Sequence, residues 1–227
     1  MSEPIQIVLL HATDMVGRAV MSGAVGRHHV RLAAIARREV PLPPGARMEM
    51  LVADPASWSE AILSARPAVV VIALGTTMRT VGGDKAKFRS IDHDLVLEAA
   101  RAAKAAGARQ LIAVSSVGAA SGASNFYLSV KGETEDALIK LRFDRLDLIR
   151  PGLLLGRREG PLRMAERLGM LVAPLGGLLL HGGLRRYRAI RAATVADAIL
   201  ALAGAKPNGR FVHEYDALQR IVRTARR

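Results

Sequence analysis

Tyr127 and Lys131, four residues apart, are the pair in this chain best suited to do chemistry. On a helix that spacing puts both on one face. Just upstream, Leu111 to Val114 is a short apolar run of the kind a buried parallel strand shows, and Ser115 and Ser116 stand where it should end. A phenol, with an ordinary pKa of about 10, is a poor acid or base at neutral pH. A neighbouring ammonium favours the phenolate. Lys131 supplies such an ammonium, and Ser116 a hydroxyl that can hold a substrate oxygen. Together they read as a proton-transfer set carried on a strand end and the next helix, for which Ser124 is the expected N-cap.

The elements that must position this set alternate along the chain. Apolar runs predict strands at Ile5 to Leu10, Val30 to Ala36, Met48 to Val52, Ala68 to Leu74, Leu111 to Val114 and Leu146 to Arg150. Helical patterns separate them at Met15 to Arg27, Pro55 to Ala65, Asp84 to Ala106 and from the Ser124 cap to about Leu141. Strands alternating with helices imply an α/β fold with a doubly wound parallel sheet. Past Pro151 the pattern loosens. The length fits a single domain, residues 1–227, in which residues 152–227 form a smaller substrate-side lobe. That lobe should hold a helix at Thr194 to Ala203, a short strand near Phe211 to His213 and a final helix from Asp216.

In such a sheet a ligand lies beyond the carboxyl ends of the strands. Those ends carry His11 to Gly17, Arg37 and Arg38, Asp54, Leu74-Gly75-Thr76, Ser115-Ser116 and Pro151-Gly152. The first loop is His11-Ala12-Thr13-Asp14-Met15-Val16-Gly17. A dinucleotide loop needs glycines here for a tight turn and close approach to pyrophosphate. Only Gly17 remains, and His11 and Asp14 occupy positions where small residues are expected. The Asp14 carboxylate is expected to compete for the helix N–H groups as an N-cap and to repel the phosphates. After the second strand, Arg37 and Arg38 suit the 2′-phosphate of NADP, where an acidic residue would suit NAD. Asp54 is placed to accept from an adenine amino group, or to cap the helix that begins at Pro55.

Composition narrows the classes. There are no cysteines, which excludes disulfides and thiolate metal sites, and the six histidines show no ligand spacing, so no metal is expected. The net charge of +13 invites a nucleic-acid partner. The charge is spread along the chain, aromatics make up only 4%, and no nucleic-acid-binding motif stands out, so an anionic cofactor and a small-molecule, anionic substrate are the better match. Met1 to Pro4 leads into a strand without a secretory signal, and a cytoplasmic protein is expected. Leu168 to Leu180 is apolar, but Pro174 and Gly176-Gly177 interrupt it and it is too short to span a bilayer. With Arg163 and Arg167 before it and Arg185, Arg186, Arg188 and Arg191 after, it reads as a pocket wall or a homodimer contact in preference to a membrane-surface patch.

Leu74-Gly-Thr-Thr77, Ser115-Ser-Val-Gly-Ala119, Asn125-Phe-Tyr-Leu-Ser-Val-Lys-Gly-Glu133, Phe143-Asp144 and Arg150-Pro-Gly-Leu153 together resemble the atypical short-chain dehydrogenase/reductase superfamily. From Gly75 to Leu155 the chain is similar to the NADPH-binding oxidoreductases that include the human Tat-interacting protein and its bacterial relatives. The resemblance implies a Rossmann fold and NADP as cofactor, with NAD less expected. It implies Tyr127 as general acid/base, Lys131 as its partner and a ribose ligand, and Ser116, with Ser115 as the alternative, as the superfamily's serine. The implied activity is hydride transfer to a carbonyl or quinone-like acceptor. A non-catalytic NADPH-binding sensor is the alternative, favoured by the altered glycine loop, and a nucleotide-sugar epimerase is a weaker third reading.

Overall fold

The apolar runs become strands because both sheet faces are covered at the centre, where Ile7 to Leu10 and Val69 to Ile72 are buried. The computed structural model describes residues 3–156 and 180–226. Its seven-stranded sheet comprises β1 (Ile5–Leu10), β2 (Val30–Ala36), β3 (Glu49–Val52), β4 (Val69–Ile72), β5 (Gln110–Val114), β6 (Arg145–Ile149) and β9 (Gly209–His213). The order is β3-β2-β1-β4-β5-β6-β9, and every pairing is parallel. This is the Rossmann order, which reverses between β1 and β4 and opens a crevice there. Successive side chains alternate between two cores. Ile7, Leu9, Val69 and Val71 face one, beneath α1 (Met15–Ala24), α6 (Ala192–Leu202) and α7 (Tyr215–Ala225). Val8, Leu10, Val70 and Ile72 face the other, beneath α2 (Trp58–Ala65), α4 (Val96–Ala105) and α5 (Phe126–Lys140).

Several boundaries differ from the sequence reading, each for a local reason. Helix α1 stops at Ala24, short of Arg27: Gly26 takes φ +78°, and the Arg27 side chain turns back to donate to the Gly23 carbonyl at 2.8 Å. The segment from Pro55 opens as a 3₁₀ turn (Pro55–Ser57) before α2. The N-cap of α5 is Asn125, whose Oδ1 accepts from Leu128 N at 3.2 Å, one residue later than the expected Ser124. The long helix expected from Asp84 to Ala106 is a continuous helical run in which a π-helical turn (Ser90–Leu95) joins α3 (Lys85–Arg89) to α4.

Beyond β6, β7 (Leu154–Leu155) pairs with β8 (Ile190–Arg191), and a 3₁₀ turn (Gly182–Tyr187) precedes β8. Strand β9 rejoins the main sheet beside β6. The apolar stretch from Leu168, apart from its last residue Leu180, lies outside the described residues, as do Arg163 and Arg167. Among the described residues no helix is long and apolar enough to cross a membrane.

Candidate functional site

Lys131 is 5% exposed, and its Nζ lies 2.7 Å from Oδ1 of Asp92, which is fully buried. The ammonium is out of line for a directional hydrogen bond, leaving Asp92 Oδ1 without one, so this contact is chiefly Coulombic. The other oxygen, Oδ2, accepts from Thr76 N at 2.8 Å. A Cβ placed on Gly75 would stand 3.6 Å from Lys131 Nζ and 3.7 Å from Asp92 Oδ1. The end of β4, the π turn and α5 therefore meet on one carboxylate. Asp92 lies in the π turn, and the Thr134 hydroxyl donates to its carbonyl at 3.0 Å.

Tyr127 sits one turn before Lys131, half-buried, its ring 5.5 Å from that of Phe88 in a small cluster with Val81, Phe126 and Val130. The two serines diverge. Ser115 is buried, and its Oγ has no partner. It lines a cavity of about 10 Å³ with Asp92, Lys131, Thr134 and Glu135, room for about one water. Ser116 is half-buried, its Oγ donating to the Val117 carbonyl at a long 3.3 Å. Glu135 is held by an ion pair to Arg150 at the end of β6. That pair raises the Arg150 pKa.

The first loop is built for close approach. A Cβ on Gly17 would fall 2.8 Å from Ala12 Cα, so only glycine lets α1 start against β1. Helical bonding of α1 begins with Arg18 N to Asp14 O at 2.9 Å, so the N–H groups of Met15, Val16 and Gly17 precede it. Asp14 holds the N-cap position, yet its side chain makes no capping hydrogen bond. The expected competition for those N–H groups is therefore absent, and only the charge effect remains. Ala12 and Val16 point into the core, Met15 is buried, and the Thr13 carbonyl accepts from Arg18 Nε at 2.9 Å. His11 takes φ +66°, the left-handed conformation that a glycine would adopt freely. Its Nδ1 is buried without a hydrogen bond. Burial, assisted by the Arg37 cation, lowers the His11 pKa against the opposing pull of Asp14 and Asp92.

Other strand ends are more varied. Arg37 and Arg38 are exposed past β2, and the field of Arg37 reaches His11. Asp54 is exposed past β3 and its side chain caps nothing, so the capping role fails. Leu74 is core. The Pro151 carbonyl accepts from Val117 N at 3.0 Å, tying two strand ends together. Gly152 serves packing, because a Cβ there would lie 2.9 Å from the Tyr187 carbonyl.

Sequence reasoning missed Asp92. A signal existed, since Asp92 falls in phase with the buried Phe88, Val96, Ala99 and Ala103 on the inward stripe of its helix. A carboxylate on an apolar stripe needs a cationic partner.

A dinucleotide fits what these ends offer. Among the described residues the buried side-chain atoms without a hydrogen bond are His11 Nδ1, Ser115 Oγ and Asp92 Oδ1, the last ion-paired to Lys131. All three lie beside the carboxyl ends of β1, β4 and β5, next to a glycine-tight helix start with free N–H groups. Fold and loop define a dinucleotide-binding α/β protein. The chain belongs to the NAD(P)H-binding family, which its sequence matches over residues 12–169. It is 34% identical over 216 residues, 89% of this chain and 91% of the relative, to "Protein fmp52, mitochondrial" of Aspergillus niger. Its fold resembles that of MoeE5 in complex with UDP-glucose and NAD, with a TM-score of 0.68 at 17% identity over 91% of this chain and 74% of that one. It also resembles dTDP-4-dehydrorhamnose reductase of Bacillus anthracis in complex with NADP, with a TM-score of 0.67 at 11% identity over 100% and 82%. The expectation of a cytoplasmic protein is overturned by the relatives, which are named as mitochondrial proteins.

Proposed function

We propose that the chain is an NADPH-dependent oxidoreductase of the short-chain dehydrogenase/reductase type, acting on a carbonyl or quinone-like acceptor. The observation that carries this reading is the buried Lys131–Asp92–Thr76 cluster one helical turn from Tyr127, flanked by His11 Nδ1 and Ser115 Oγ, two buried polar atoms without a hydrogen bond at the ends of β1 and β5. The bound dinucleotide supplies the hydride. The Ser116 hydroxyl holds the acceptor oxygen, and Tyr127 Oη gives that oxygen its proton as the carbonyl becomes an alcohol. The Lys131 ammonium, oriented by Asp92, stabilises the phenolate left behind. Arg37 and Arg38 select NADP over NAD through the 2′-phosphate. The motifs shared with the Tat-interacting-protein group support the same reading, and the names of the relatives suggest the mitochondrion as its compartment.

A second reading, an NADPH sensor without turnover, draws on His11 and Asp14 in the loop. The test is loss of NADPH fluorescence with a panel of carbonyls and quinones. Replacing Tyr127→Phe is expected to lower turnover by about 10²–10⁴-fold with NADPH binding nearly intact. A variant as fast as the parent would remove Tyr127 from the chemistry, and binding without turnover by the parent would select the sensor.

A further inference from the structure

We propose that the site opens onto an apolar shelf with a cation at its side, built to take an amphiphilic acceptor: a carbonyl compound with an alkyl chain and an anionic group. This rests on the reductase reading and names its substrate class. Large hydrophobic side chains are exposed at seven described positions, Leu42, Val52, Leu63, Leu153, Leu184, Tyr187 and Val212. Leu153, Leu184 and Tyr187 are 55%, 54% and 41% exposed, and the segments that carry them touch where Gly152 meets the Tyr187 carbonyl. Leu184 and Tyr187 are three apart in the 3₁₀ turn, so their side chains eclipse on one face. Leu153 follows Gly152, which packs against the Tyr187 carbonyl, and the Leu153 carbonyl accepts from Ile190 N at 2.9 Å.

Tyr187 reaches the loop that follows Ser116. A Cβ on Gly118 would lie 3.9 Å from Tyr187 Oη and 3.4 Å from Leu128 Cδ1. Gly118 is two residues past Ser116, and Leu128 adjoins Tyr127. An alkyl chain leaving a carbonyl held between Ser116 and Tyr127 thus meets Leu128, then Tyr187 and Leu184. The cation is Arg186, whose guanidinium lies 5.0 Å from the Tyr187 ring centroid and has no ion-pair partner among the described residues. Its neighbours are engaged: Arg185 pairs with Asp216 at 2.7 Å, and Arg188 Nε donates to the Leu180 carbonyl at 2.9 Å. Arg186 lines a pocket that also holds Glu214 and Asp216, with Asp216 already paired to Arg185, and its guanidinium, without an ion pair of its own, suits a carboxylate or phosphate carried on an alkyl chain.

The test uses dodecanoate, an unreducible probe, below its micelle concentration, titrated calorimetrically into the protein saturated with NADPH. Dodecanoate is expected to bind, and Leu184→Asp or Tyr187→Ala to weaken it about tenfold. Replacing Arg186→Ala should weaken dodecanoate and spare dodecanol. In turnover, kcat/KM for a series of ω-carboxyalkanals should rise with chain length in the parent and flatten in Leu184→Asp. Dodecanoate binding that Leu184→Asp abolishes, in a protein that reduces no carbonyl, would sink the reductase reading and leave the shelf standing. Turnover indifferent to chain length, with no dodecanoate binding, would overturn the shelf. So would cosedimentation with phosphatidylglycerol vesicles that Leu184→Asp abolishes while dodecanoate fails to bind, because the face would then dock on a membrane.

Discussion

A carboxylate locked against the lysine sets what that lysine can do. Two buried charges, Lys131 and Asp92, are tolerable only together, since each alone carries a desolvation cost that nothing else offsets. Replacing Asp92→Asn keeps an acceptor for Thr76 N but strands the ammonium. The loss of stability in urea denaturation should be about 3–5 kcal/mol. Lys131→Met strands the carboxylate and should cost a similar amount. The double variant should be much less destabilised than the two losses summed, and inactive. Strict additivity would mean that the pair is not coupled, which its 2.7 Å separation argues against. Asp14 is a different case. Its side chain satisfies no N–H group, so removing its charge costs the helix little. Two like charges at about 4–6 Å and an effective dielectric near 20 repel by roughly 3–4 kcal/mol before screening. Asp14→Asn is therefore expected to tighten NADPH about tenfold at low salt, measured by fluorescence titration. Equal affinity in the two proteins would mean that the carboxylate points away from the phosphates.

At the scale of elements, α5 is fixed against the loop that follows β5 by a bare backbone contact. A Cβ on Gly132 would lie 2.5 Å from Ala120 Cα. The loop also bonds the helix through Ala120 N to the Leu128 carbonyl at 3.2 Å and Ser129 Oγ to the Ser121 carbonyl at 3.0 Å. Gly132→Ala must lift the loop, and Ser116 with it. Thermal or urea denaturation should show a loss of about 1–3 kcal/mol, with turnover falling further than stability. Gly122→Ala, with nothing within 4 Å of the added methyl, is the control and should change stability by less than about 0.5 kcal/mol. A Gly132→Ala variant as stable and active as the control would show that the loop gives way freely. The strands β1 to β6 were legible in the sequence, and in β1, β2, β4 and β5 the reason is that residues buried on both faces leave a nearly unbroken apolar run; Ile5–Leu10 and Val30–Ala36 fell where expected. The π turn in the helical run after Asp84 was not legible, since no residue in Ser90–Leu95 is a helix breaker. Asp92 itself left a signal, a carboxylate on an apolar stripe, but its partners Lys131 and Thr76 could not be read from local spacing.

At the scale of the molecule, a second buried polar network ties β5, β6 and β9 to the end of α6. Asp147 accepts from Arg145 Nε and Nη2 at 2.7 and 2.8 Å and from Gln110 Nε2 at 2.7 Å, and it shares a hydrogen bond with His213 Nε2 at 2.8 Å. Gln110 also donates to the Leu202 carbonyl at 2.9 Å and accepts from Gly204 N at 2.8 Å. Nothing local in Arg145-Leu-Asp147 announced this, since its partners lie up to sixty-six residues away in sequence. Burial opposes the charge on Asp147, but the bonds from His213, Arg145 and Gln110 outweigh it and hold its pKa below the ordinary carboxylate value. A carboxylate with a depressed native pKa contributes stability that is complete above its unfolded pKa, about 3.9, and is lost as pH falls through the lower native one. His11 has the same sign by a different cause. Burial favours its neutral ring, so the unfolded state takes the proton first and stability declines as pH drops below about 6.5. Acid unfolding should therefore show two arms, a shallow one beginning near neutrality and a steep one below about pH 4. His11→Asn, a residue that tolerates positive φ, should flatten the first arm alone. Asp147→Asn should flatten the second while lowering stability at neutral pH, where Arg145 loses its buried counter-charge. Urea denaturation at a series of pH values reads both slopes. If the His11→Asn curve runs parallel to the parent between pH 7 and about pH 5, the buried ring is not the group that takes up the proton in that range.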